Sequence, residues 1–162
     1  MEPATTHLYT RALGLLARRN HTRFELRRKL LTRGTSQAAE EVLDRLEEQG
    51  LINDQACALQ RAMDRRQRGL WGDRRITQDL KRLGIDARMI PGVLEQVNNE
   101  KEEADSLREA VQLWVRKAGT PGVAPQLKKL YDHCVRLGYA PEQVRGQLEP
   151  YFQQVEWQER RS

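Results

Sequence analysis

Apolar residues recur along this chain at helical spacing, in short stripes separated by polar or glycine-bearing breaks. Leu8, Ala12, Leu15 and Leu16 form the first stripe, which ends at Arg18-Arg19-Asn20. Thr22-Arg23-Phe24-Glu25 has the pattern of a capping box. It opens a helix with Leu26, Leu30 and Leu31 inward and Gly34 as its stop. Ser36 is placed to cap a third helix carrying Val42, Leu43 and Leu46, ending at Gly50. The pattern then recurs. Asn53-Asp54 opens a helix with Ala56, Leu59 and Met63 inward, broken at Gly69-Leu70-Trp71-Gly72. Asp73 caps a helix with Ile76, Leu80 and Leu83, stopped by Gly84. Asp86 opens one with Met89, Ile90, Val93, Leu94 and Val97, and Pro91 falls near its first turn. A third round carries Ala104, Leu107, Val111 and Trp114, closed by Gly119. Leu127, Leu130, Cys134 and Leu137 follow, closed by Gly138. Pro141 suits a first helical position; Val144 and Leu148 continue that helix, with Pro150 as its limit.

No segment alternates with the two-residue period of a strand. Three segments align instead on a middle-helix stop: Leu30…Arg33-Gly34, Leu80…Leu83-Gly84-Ile85 and Cys134…Leu137-Gly138-Tyr139. Self-similarity at a period of about 50 residues marks a repeat array. The expected fold is all-α, with three tandem three-helix bundles in an elongated, curved arrangement. The units would be residues 8–52, 53–98 and 99–152, with a polar tail over 153–162.

Composition adds a constraint. Only 38% of the 162 residues are hydrophobic and 6% aromatic, against 31% charged. That suits small bundles in series better than one large core. No stretch approaches the roughly 20 apolar residues that span a bilayer, and Met1–His7 lacks the apolar core of a secretory signal. We therefore expect a cytoplasmic protein without a membrane partner. Cys57 and Cys134 are too few for a disulfide framework and fit reduced thiols.

The net charge of +5 conceals a banded distribution. Residues 1–34, 35–55, 56–84, 85–110, 111–139 and 140–162 carry +6, −5, +5, −4, +4 and −1. The first two helices of each unit are basic and the third is acidic or near neutral. Such a surface attracts a polyanion, unless basic and acidic helices pair within the molecule. The densest run is Arg65-Arg66-Gln67-Arg68-Gly69-Leu70-Trp71-Gly72-Asp73-Arg74-Arg75, followed by Lys81-Arg82. Arginine grips phosphate or carboxylate bidentately, and tryptophan stacks on a base or anchors an interface. Trp71 alternatively plugs an inter-repeat core. Arg27, Arg28, Lys29, Arg65, Arg66, Arg68, Trp71, Arg74, Arg75, Lys81, Arg82, Lys128 and Lys129 are the candidate partner- or DNA-binding residues.

Catalytic patterns are missing. There is no phosphate loop, no Gly-rich dinucleotide turn and no zinc-ligand spacing. His7, His21 and His133 lie far apart, and His133 points away from its neighbour Cys134 on a helix. The acidic run Glu40-Glu41…Asp44…Glu47-Glu48 offers a cation site, a solvated face or an acidic surface. We expect no enzyme activity, no cofactor and no metal.

Two stretches resemble the RecX family. One is Arg19-Asn20-His21-Thr22-Arg23-Phe24-Glu25-Leu26-Arg27-Arg28-Lys29-Leu30 with Val42–Asp54. The other is the Arg68-Gly69 turn leading to Arg75-Ile76-Thr77-Gln78-Asp79-Leu80…Leu83-Gly84-Ile85. The likeness extends over roughly residues 8–152 and is weakest in the third repeat. The chain departs from the family pattern in having Arg68-Gly69 for Lys-Gly, Asp79-Leu80 for Glu-Leu, and Leu83 where a lysine precedes Gly-Ile. The resemblance implies a bacterial regulator of the RecA recombinase, and we expect a monomer. Such a protein lies in the groove of the RecA–DNA filament and usually inhibits strand exchange, ATP turnover and co-protease activity. The rival expectation is a direct binder of single- or double-stranded DNA through helix-turn-helix-like repeats.

Overall fold

The computed structural model describes residues 3–160. Its helices are α1 (Pro3–Leu16), α2 (Arg23–Leu30), α3 (Ser36–Glu48), α4 (Asp54–Gly69), α5 (Asp73–Arg82), α6 (Ile90–Glu100), α7 (Glu103–Ala118), α8 (Ala124–Arg136) and α9 (Pro141–Glu159). There is no strand among the described residues. The all-α expectation holds, and the boundaries differ at four places.

Thr35, not Ser36, caps α3, its hydroxyl accepting from the Ala38 N–H. Gly72, not Asp73, occupies the capping position of α5, its carbonyl accepting from Ile76 N–H. Helix α6 starts at Ile90 rather than Asp86. Pro91 has no N–H to give the carbonyl four residues earlier, so the ladder cannot begin sooner. Helix α9 passes through Pro150 and runs on to Glu159. The expected tail is thus helical over most of its length, and Arg161 and Ser162 lie outside the described residues. An interior proline costs roughly 3 kcal/mol. Leu148 and Val155, buried on either side of it, offset that by about 1.5–3 kcal/mol each.

The chain divides into two compact units. The first contains residues 1–61 and 79–93, the second 62–78 and 94–162. The division passes through α4, α5 and α6 rather than between helix triplets. Within the first unit, α1, α2 and α3 bury Leu8, Ala12, Leu26, Leu30, Val42, Leu43 and Leu46. The capping box forms as expected at Thr22 and Glu25. The Thr22 hydroxyl also donates to the Leu83 carbonyl at 2.7 Å. Phe24 lies so close to Gly84 (φ +76°) that a Cβ there would come within 2.3 Å of it. The start of α2 therefore docks on the turn after α5.

The second unit repeats this geometry one triplet later. Its core gathers Leu107, Val111, Leu127, Leu130, Cys134, Tyr139, Val144 and Leu148. The Gly72 N–H donates to the Leu137 carbonyl at 2.8 Å, and the Arg74 N–H to Gly138 at 3.3 Å. The start of α5 thus docks on the turn after α8. Glycine is required at 84 and 138 because a preceding triplet arrives there and φ is positive. Gly34 differs from both. Its φ is not positive, and its open side is filled by Leu8.

Candidate interaction surface

The arginine-rich break between α4 and α5 lies in the second unit, and its side chains do different work. Arg66 is fully buried. Its guanidinium donates to the Trp71 carbonyl at 2.8 Å, to Asn98 Oδ1 at 3.0 Å and to the Asp73 carboxylate. Asn98 Nδ2 in turn donates to Asp73 Oδ2 at 3.2 Å. The Asp73 N–H donates to Glu103 Oε1 at 2.7 Å, and Gln143 Nε2 donates to the other Glu103 oxygen. The Tyr139 hydroxyl donates to the carbonyl of Leu70, whose φ of 51° is the left-handed conformation rarely adopted by side-chain-bearing residues. Arg66 thus fixes the turn and cannot reach a partner, so its place among the contact residues is withdrawn. A signal was present in the sequence. Arg66 continues the four-residue spacing of Ala58 and Ala62, which are the buried positions of α4. The stripe Ala56, Leu59 and Met63 is one position out of phase: Ala56 is exposed and the other two are half-buried.

Trp71 is half-buried. The guanidiniums of Arg65 and Arg75 lie 4.5 and 3.8 Å from its ring centroid, a cation–π arrangement. Its ring faces cations of its own chain, and Arg65 and Arg75 are half-buried with it. Arg68 and Arg74 are exposed.

In the first unit the acidic run has found its cation. Arg23 reaches Glu40 at 2.9 Å, Asp44 at 2.7 Å and Glu47 at 2.7 Å. Arg27 pairs with Glu40 as well. Arg27 first and Arg23 second hold the Glu40 carboxyl below its usual range. Intramolecular pairing between basic and acidic helices therefore operates here. Arg28 and Lys29 stay exposed. They line a groove of about 530 Å³ with Arg11, Arg19, Glu25 and Thr32. Arg11, on α1, was not predictable as a neighbour of α2 from spacing within either helix. Lys81 and Arg82 are exposed in the same unit. On α8, in the second unit, Lys128 pairs with Asp132 at 2.7 Å, and Lys129 is exposed.

The histidines are buried to different degrees. His21 is 4% exposed, and burial, followed by Arg19, pushes its pKa below the ordinary 6.5. The unfolded chain therefore takes up a proton at a higher pH than the folded one. Stability is expected to be full above about pH 6.5 and to fall on acidification from there through the folded pKa, by at most about 1.4 kcal/mol per pH unit for one proton. Urea midpoints measured between pH 7.5 and 5.5 check this, and His21→Gln should flatten the profile. Burial pushes the Cys134 thiol up to about 11, which keeps it protonated and unreactive.

Fold and surface together define an all-α repeat protein with cations exposed on its helix faces. The pattern of the first three-helix domain of RecX matches residues 9–46, and that of the second matches residues 53–94. The regulatory protein RecX of Xanthomonas axonopodis pv. citri is 36% identical over 139 residues, spanning 84% of this chain and 82% of that protein. The RecX of Halorhodospira halophila is 36% identical over 138 residues, spanning 83% and 82%. That of Trichlorobacter lovleyi is 32% identical over 145 residues, spanning 87% and 93%. The crystal structure of RecX from Lactobacillus salivarius superposes with a TM-score of 0.78 at 17% identity, covering 97% of this chain and 99% of that one. The chain belongs to the RecX family of regulatory proteins. Among the described residues no helix is long and apolar enough to cross a membrane.

Proposed function

We propose that this protein binds the filament formed by RecA recombinase on DNA and restrains its strand exchange, ATP turnover and co-protease activity in recombination, repair and the SOS response. It does so in the cytoplasm as a monomer, without catalysis of its own, through three-helix units at 8–52, 53–98 and 99–152. What supports the reading is family membership together with the partition of the arginines. Arg23, Arg27 and Arg66 are engaged inside the protein, while Arg28, Lys29, Arg68 and Arg74 are exposed. Exposed cations on ordered helices match the acidic groups and DNA phosphates of a nucleoprotein polymer.

The test compares affinity for bare DNA with affinity for RecA-coated DNA across a salt series, with the variants Arg74→Ser and Arg28→Ser/Lys29→Ser. Preference for the filament is expected. The variants should raise the concentration for half-inhibition of ATP turnover by roughly tenfold with an unchanged helical signal. Tight, salt-steep binding to bare DNA with no filament preference would sink the reading in favour of a direct DNA-binding protein.

A further inference from the structure

The second unit contains a cleft of about 470 Å³ that the regulatory reading touches only through Arg68. One wall is a single face of α7, on which Leu113, Trp114 and Lys117 follow at helical spacing. His133 of α8, Leu137 after it, and Arg68 and Leu70 also line the cleft. The volume falls within the range of small-molecule sites, roughly 300–1,000 Å³.

The lining divides into two chemistries. Leu70, Leu113 and Leu137 with the half-buried Trp114 indole make an apolar, partly aromatic slot. Arg68 and Lys117, both exposed, supply two cations at its rim. No carboxylate is among the described lining residues, so the charged side chains that line it are both cations. The His133 imidazole reports the same field. Burial first, then Arg136 and Lys117, hold its pKa below the ordinary 6.5. A guanidinium and an ammonium recognise phosphate oxygens, and an indole beside leucines takes a flat ring.

We infer that this cleft binds a nucleoside phosphate, its ring against Trp114 and its phosphate between Arg68 and Lys117. The ligand is either a free nucleotide or one splayed unit of a single strand, since both present the same ring and anion. The site does not depend on the recombinase and is tested without it.

The full chain is titrated with N-methylanthraniloyl-ADP and, separately, with a fluorescein-labelled thymidine pentanucleotide. At least one probe is expected to bind with a dissociation constant below about 1 mM. Preference for the first identifies a free nucleotide, and preference for the second a strand. Arg68→Glu/Lys117→Glu, at exposed positions, should weaken binding at least tenfold, a change of about 1.4 kcal/mol or more. Trp114→Leu should weaken it roughly tenfold, while Trp114→Phe, which keeps a ring and the packing, stays near the parent. Absence of binding by both probes, or equal binding by the charge-reversed variant, overturns the inference. Sensitivity to Arg68 and Lys117 with none to Trp114→Leu leaves an anion site only, and overturns the nucleoside assignment.

Discussion

Replacing Arg66 by alanine should destabilise the protein by about 3 kcal/mol, the range found when one partner of a buried ion pair is removed. The guanidinium is fully buried and serves three acceptors: the Trp71 carbonyl, Asn98 and Asp73. Its loss leaves a carboxylate and a carbonyl short of donors and opens a hole beside them. Arg66→Lys should recover only part of the loss, because an ammonium on a shorter reach cannot fork to three groups. Urea unfolding followed by helical circular dichroism provides the measurement. A change under about 1 kcal/mol, with partner binding lost instead, would return Arg66 to the contact surface. The expected result is the opposite: reduced stability, with partner binding affected only as far as the fold is.

A similar loss, about 3 kcal/mol, is expected for Gly72→Ala. The added Cβ would lie 2.5 Å from both the carbonyl carbon and the oxygen of Gly138, and 2.7 Å from the Tyr139 nitrogen. These are backbone atoms, so no side-chain rotation relieves the clash. Relief requires the α5 start to lift off the turn after α8, breaking the Gly72–Leu137 and Arg74–Gly138 hydrogen bonds. For a chain of this size the melting temperature should drop by roughly 6–12 °C. Gly14→Ala is the control. It lies inside α1 with nothing within 4 Å of the added Cβ. There the substitution should stabilise by about 0.5–1 kcal/mol through helix propensity alone. Equal melting temperatures for Gly72→Ala and the parent would refute the docking role.

Both predictions concern places where local pattern and tertiary structure part company. Helix spacing, the Thr22–Glu25 capping box and the glycine stops at 84 and 138 were legible because each is a property of residues within a few positions of one another. The buried face of α4 was not. Its stripe is short and alanine-based, so a one-position phase error changed little in apparent hydrophobicity yet turned Arg66 outward. The division of labour among arginines was likewise hidden. Arg23 is matched to Glu40, Asp44 and Glu47 from 17 or more residues away, and nothing local distinguishes it from exposed Arg28. The groove lined by Arg11 and Lys29 and the cleft lined by Arg68 and Lys117 each join helices that share no short-range pattern.

The amino-acid sequence by itself determined that the protein is helical, where its helices turn, that its charge is banded, and which family it resembles. Those features depend on hydrogen bonding and side-chain spacing within one or two turns, which linear order encodes. Tertiary structure alone decided which cations face solvent and why glycine stands at 84 and 138 but is used differently at 34. A cation's availability depends on the carboxylates brought to it, and a glycine's necessity on the backbone that arrives against it. Both are set by contacts between segments far apart in the chain.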